Sequence, residues 1–189
     1  MKNYILLAVM MFLSACGTTS NLRSTDNSAK LPDLTSYETV IVNNFTNGIS
    51  KKKDDQKIIT EGKNFADIIT KSIQKAKVFN TVERNKNSEA QALLIDGEIT
   101  EYEEGNAGLR FMIGFGAGSS HFDAKVCFKD NETKNILGTI DVDKQSWGLG
   151  GALAGTQDVK SHMESAAEKI VSEITKAKQA NATLVSTNK

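Results

Sequence analysis

Cysteine is close to absent from this chain. Cys16 and Cys127 are the only two in 189 residues, which excludes a disulfide framework as the source of its stability. Histidine is as scarce, and neither His121 nor His162 stands at a metal-ligand or Ser/His/Asp spacing, so no zinc centre or hydrolytic triad is legible. An excess of one charge is missing too. Lys and Arg number 23 and so do Asp and Glu, which leaves no basic stripe to displace counterions from phosphates and excludes nucleic acid as the partner class. Beyond the N-terminus no apolar run is long enough to span a bilayer. Asp141 and Asp143 share one side of an expected strand, but two carboxylates are too few for a calcium loop. No metal or cofactor is expected.

What is present first is an address. Lys2 supplies a positive charge, residues 4–13 an apolar run too short for a permanent span, and Leu13-Ser14-Ala15-Cys16 closes it. The pattern resembles the bacterial lipobox. That resemblance implies cleavage of residues 1–15 as a lipoprotein signal peptide, a diacylglyceryl group on Cys16 and a palmitate-class chain on its new amine. Two or more such chains anchor stably, at about 0.8 kcal/mol per buried methylene. Gly17 after the cysteine, where inner-membrane retention uses aspartate, implies the outer membrane with the domain facing the periplasm. Cleavage also removes Lys2, leaving acidic side chains ahead by one. Cys127 then has no partner and sits in an alternating apolar run, where a buried small hydrophobe is expected.

Residues 16–36 are polar and small, hold the sole proline, Pro32, and read as the lipidated Cys16 followed by a flexible tether. Such a tether has a root-mean-square span of about 20–25 Å. A single α+β domain is expected over 37–178 and a frayed polar tail over 179–189. Residues 37–45 are β-branched and predict a buried strand. Asp54 or Asp55 then caps a helix with Ile58, Phe65, Ile68, Ile69, Ile73 and Ala76 on one face. Residues 78–83 and 92–102 predict strands, the second bent at Gly97. Residues 110–113 and 122–129 are apolar-rich strands about a glycine run, and the polar turn 130–135 returns the chain into a strand over 136–142. Val159, Met163, Ala166, Ala167, Ile170, Val171, Ile174 and Ala177 stripe a closing helix. Two one-sided helices and roughly five strands predict a two-layer α+β sandwich with both helices on one face, the other face being polar or covered by a partner.

The run Leu109-Arg110-Phe111-Met112-Ile113-Gly114-Phe115-Gly116-Ala117-Gly118-Ser119-Ser120, the turn Asp130-Asn131-Glu132-Thr133, the second glycine cluster over 148–155 and the terminal amphipathic helix occur in an order that resembles the bacterial domain of unknown function 4410 family. The chain departs from that pattern at Lys134, where the family often has glycine after the threonine. The resemblance implies a lipoprotein and brings no activity. More loosely, the element order is similar to small envelope domains of curli-secretion and cell-wall-synthase-activator lipoproteins, which bind other proteins.

Neither glycine cluster makes a dinucleotide loop. A β-run, not a helix, follows the first, and Leu153 takes the third glycine position of the second. The apolar residues on this flexible backbone are the better candidates: Arg110, Phe111, Phe115, Trp147 and Leu149 form one candidate interaction surface, with packing of strand ends into the core as the competing reading. The function expected is therefore a non-enzymatic protein-interaction or assembly module, held at the membrane by lipid and partnered by an envelope protein. Two alternatives stand beside it: a hydrolase acting on envelope material, marked by a pocket of convergent polar groups near Asp141, Asp143 or His121, and a ring-forming secretion or assembly subunit.

Overall fold

Period-two burial organises the sheet. Along β6 (His121–Asp130) the side chains of Phe122, Ala124, Val126 and Phe128 are buried, and those between them are half-buried or exposed. The computed structural model describes residues 18–25, 30–49, 54–86, 91–112, 118–146 and 157–187, and at 107, 110, 111 and 181–187 the backbone alone. β5 (Leu93–Glu103) and β7 (Ile136–Gln145) flank β6 antiparallel. Outside β7 runs β1 (Arg23–Ser24), antiparallel. Outside β5 run β2 (Thr39–Val42) and then β4 (Thr81–Arg84), both parallel to their neighbours. β3 (Thr46–Asn47) resumes the line of β2 along β5. The order β1-β7-β6-β5-β2-β4, with β3 on β5, makes one open seven-stranded sheet.

Two long helices, α1 (Gln56–Ala76) and α3 (Val159–Thr187), pack on each other. α1 reaches β2 to β5, and α3 reaches β6 and β7. Their apolar stripes join Val40, Val42, Leu93, Ile95, Ile99, Phe122 and Phe128 in one core, where the Phe65 ring lies 4.9 Å from both Phe45 and Phe122. α1 begins where the sequence places a cap: Asp55 accepts a hydrogen bond from the Lys57 N–H. The mixed α+β class expected from the sequence is thus present. Among the described residues the sheet has seven strands where roughly five were expected, because the chain before residue 37 contributes β1 and the strand expected over 37–45 is interrupted at Asn43, Asn44 and Phe45.

The stretch read as a flexible tether departs furthest from expectation. The Asp143 N–H donates to the Thr18 carbonyl and the Ser20 N–H to the Asp141 carbonyl, so the chain is already on the β7 edge two residues after Cys16. Leu22 is buried, and its N–H donates to Glu173 of α3 at 3.2 Å. Leu34 is fully buried and Pro32 buried. Apolar burial and satisfied backbone groups outweigh the entropy that short polar residues would otherwise keep. Glu173 is almost wholly buried; burial opposes its charge, but bonds from Lys169, Lys176 and the Leu22 N–H prevail and hold its pKa below the usual value.

Three smaller expectations also change. The closing helix continues to Thr187, through most of the residues read as a frayed tail. Gly97 is a close-approach position: a Cβ there would lie 2.1 Å from the Lys125 carbonyl oxygen, while the irregularity of β5 falls between Ile99 and Glu101. Cys127 is half-buried on the side of β6 away from Phe128 and is not part of the core.

Candidate functional site

At one end of the sheet β6 begins and β7 finishes. His121 stands opposite Gln145, and their side chains meet at 2.8 Å. The Ser120 N–H donates to Ser146 Oγ, and the Ser146 N–H returns a bond to the Ser120 carbonyl. Ser120 Oγ donates to the Gln157 carbonyl at 2.8 Å and lies 3.1 Å from His162 Nε2. Both side chains are buried. A serine beside a histidine is a nucleophile and base by type. Here the hydroxyl proton points at a carbonyl, so the imidazole is a donor to Oγ and not a base for it. The cluster works as a clasp that ties the β6 start, the β7 end and the entry to α3 together. Its members are up to 42 residues apart, so no local spacing announces it.

The candidate surface residues gather at this end only in part. α2 (Ala107–Met112) lies between β5 and β6 and carries Arg110 and Phe111, where a strand was expected. Gly105, at φ 67°, ends the extended backbone; Asn106 Oδ1 then accepts the Leu109 N–H, and the Asn106 N–H donates to the Gly118 carbonyl. Leu109 and Met112 are exposed, Met112 at 83%. Phe115, Trp147 and Leu149 lie outside the described residues.

On the sheet face of the odd-numbered β6 residues a row of carboxylates crosses three strands. Asp123 is in register with Glu101 on one side and Asp143 on the other. Burial, then Asp143 and Glu101, push its pKa up to about 6, against the Lys144 backbone N–H and His121. Its Oδ1 is shielded from solvent and has no hydrogen-bond partner among the described residues. Farther along the same face is an open depression of about 480 Å³ bordered by Asn43, Asn44, Thr46, Glu98, Lys125 and Cys127, and by the ion pair of Lys129 with Asp96 at 2.7 Å. Burial raises the Cys127 pKa, so the thiol stays protonated and a poor nucleophile. His121, Asp141 and Asp143 do not border this depression.

The Asp-x-x-Thr turn also proves structural. Asp130 Oδ1 accepts the Thr133 N–H at 2.7 Å and its hydroxyl at 2.9 Å, and Oδ2 accepts the Tyr37 hydroxyl at 2.7 Å. These bonds, the Thr133 N–H foremost, hold the Asp130 pKa below the usual carboxylate value. Lys134 follows at φ 61°, in the left-handed region. The family model described as "Domain of unknown function (DUF4410)" matches residues 20–150. The chain belongs to this family. In this DUF4410 protein the match begins inside the edge segment that reading by composition had made a tether, and it stops before α3.

No curated relative matches the chain. Among solved structures, the PelC dodecamer from Paraburkholderia phytofirmans is similar at TM-score 0.54 and 13% identity, over 84% of this chain and 96% of that one. A substituted form of the same dodecamer gives 0.53 at 13% identity, over 84% and 98%. A Xanthomonas campestris protein of the DUF330 family gives 0.50 at 7%, over 82% and 96%. At these identities the likeness is one of fold.

Proposed function

We propose that this DUF4410 protein is a lipid-anchored bacterial envelope protein that acts as a non-enzymatic protein-interaction or assembly module. The lipobox ending at Cys16 supports the anchor, the outer membrane and a domain facing the periplasm. The observation that carries the interaction reading is the sheet surface of Asp96, Glu98, Lys125, Cys127 and Lys129. In the two-layer reading both helices cover the face of Phe122 and Phe128, so this mixed-charge surface is left for a partner. A broad antiparallel face with charges of both signs suits a protein that complements them. Against the hydrolase reading stand the Ser120 hydroxyl turned to a carbonyl, the protonated Cys127 thiol, and a depression that Asp141, Asp143 and His121 do not border.

The test is a crosslinked pull-down from the native envelope with the wild type and Lys125→Glu. The exposed substitution is expected to abolish recovery of the partner while stability stays within about 0.5 kcal/mol of the wild type. Equal recovery with both proteins rejects the face. Fractionation and mass spectrometry of the wild type and Cys16→Ala decide the anchor: an unprocessed or soluble wild type removes it. The two dodecameric fold neighbours favour a second reading, a ring-forming assembly subunit. Light scattering of the detergent-solubilised protein separates the two, since a monomer excludes the ring.

A further inference from the structure

Two observations meet at the end of the sheet that holds the Ser120 clasp. The first is where the N-terminal chain becomes fixed. The Thr18 carbonyl accepts from the Asp143 N–H, and Thr19 bridges to Val142. Only Gly17 stands between Cys16 and this attachment. At about 3.3–3.6 Å per residue, the two residues before Thr18 give a lipid on Cys16 a reach of at most roughly 7 Å from the edge strand, against the 20–25 Å of a free tether. The second is α2, which leaves β5 beyond the last β5–β6 pair, Glu103 with His121, at this same end. Its tip presents Leu109 and the largely exposed Met112.

We infer that this end of the sheet is a membrane-facing surface, and that α2 places Leu109 and Met112 in the headgroup region of a zwitterionic phospholipid layer. The inference rests on the proposed lipid anchor. A lipid on Cys16 with so short a reach does more than raise the local concentration of the domain: it selects which end of the sheet meets the bilayer. Exposed apolar side chains at that end then gain by burial in the interface. Charge selects the lipid class. At this end the carboxylates of Glu101, Glu103, Glu104 and Asp143 stand among Lys57, Lys144, Lys160 and the Arg110 position of α2, and a rim with charges of both signs matches the paired ammonium and phosphate groups of zwitterionic lipids. The opposite end, with the 131–135 turn, is turned away from the layer.

Orientation is read by photocrosslinking. The full-length protein is reconstituted in phosphatidylethanolamine–phosphatidylcholine vesicles with p-benzoylphenylalanine in place of Met112 or, separately, of Thr133 in the far turn. Lipid adducts are counted by mass spectrometry, which also reports the state of Cys16. Adducts several-fold more abundant at 112 than at 133 are expected, and a long Gly/Ser insert between Gly17 and Thr18 should erase the difference while the protein stays on the vesicles. Equal yields at the two positions in anchored protein overturn the inference, as does a crosslink from 112 to protein in place of lipid. If Cys16 carries no lipid, the anchor reading fails by itself. The same comparison is then made with the mature chain, as Cys127→Ala, coupled through Cys16 to a maleimide phospholipid, and equal yields there overturn the orientation independently.

Discussion

Lys134 joins a family habit to a backbone angle. At φ 61° a side chain costs about 1–2 kcal/mol that glycine does not pay, although glycine loses more entropy on folding. Lys134→Gly should therefore stabilise the protein by up to about 1 kcal/mol, less whatever the Lys134–Asn131 bond contributes, read as a higher denaturant midpoint. Asp123 makes the pH prediction. Its folded pKa of about 6 lies above the ordinary value, so the folded state holds a proton that the unfolded state has released between the ordinary carboxylate pKa and about 6. Stability contributed by this group is greatest at acid pH and falls as pH rises through that window. Asp123→Asn should be more stable than the wild type at pH 7–8, by no more than about 1 kcal/mol because the side chain is only half-buried, with the difference vanishing in acid. Thermal melts at several pH values check it. Asp130 has the opposite sign: its depressed pKa lends stability above the ordinary carboxylate value, and that stability is lost on acidification.

Among the elements, α1 is held by a contact that its own helical preference argues against. Gly62 is in mid-helix, where alanine is favoured by about 1 kcal/mol. A Cβ there would lie 2.2 Å from the Phe45 carbonyl oxygen, and the Phe45 N–H donates to the Gly62 carbonyl. Gly62→Ala should therefore destabilise by about 1–3 kcal/mol as α1 is pushed from the sheet, seen as a lowered melting temperature with helicity retained. β1 is held differently, by the buried Leu22 side chain and the bond of its backbone to Glu173. Leu22→Ala should cost about 2–4 kcal/mol, which is the scale of a core leucine and far above that of a tether residue. A change within about 0.5 kcal/mol by chemical denaturation would return 18–25 to a tether.

For the whole molecule, the docked N-terminal segment sets where the domain ends and where its free sheet edge is. Residues 18–24 occupy the outer edge of β7. Cutting the chain after Thr25 should expose that edge, leave Glu173 without the Leu22 N–H and lower the melting temperature by several degrees. Light scattering of the truncated protein should show self-association that the intact domain lacks or, if the intact protein is a ring, an altered particle size.

By itself the sequence determined the elements whose periodicity is strong: β6 and β7 with their polar turn, α1 with its Asp55 cap, and α3 with its apolar stripe. It also determined the family, through the Asp130 turn and the order of the glycine runs, and its Leu13-Ser14-Ala15-Cys16 run is what the proposed anchor rests on. Tertiary structure alone decided three matters. β1 is short and polar, and Leu22 has no apolar residue two, three or four positions away on either side, so its place came from an edge of β7 and a carboxylate 151 residues away. Arg110 and Phe111 sit in apolar sequence that reads as strand, yet Gly105 and the Asn106 cap turn it into a short helix. Ser120 and His162 meet only because the sheet closes against α3. Periodicity records which face of a segment avoids water, but the partner that covers that face is chosen by complementary groups distant along the chain, and no local pattern carries that choice.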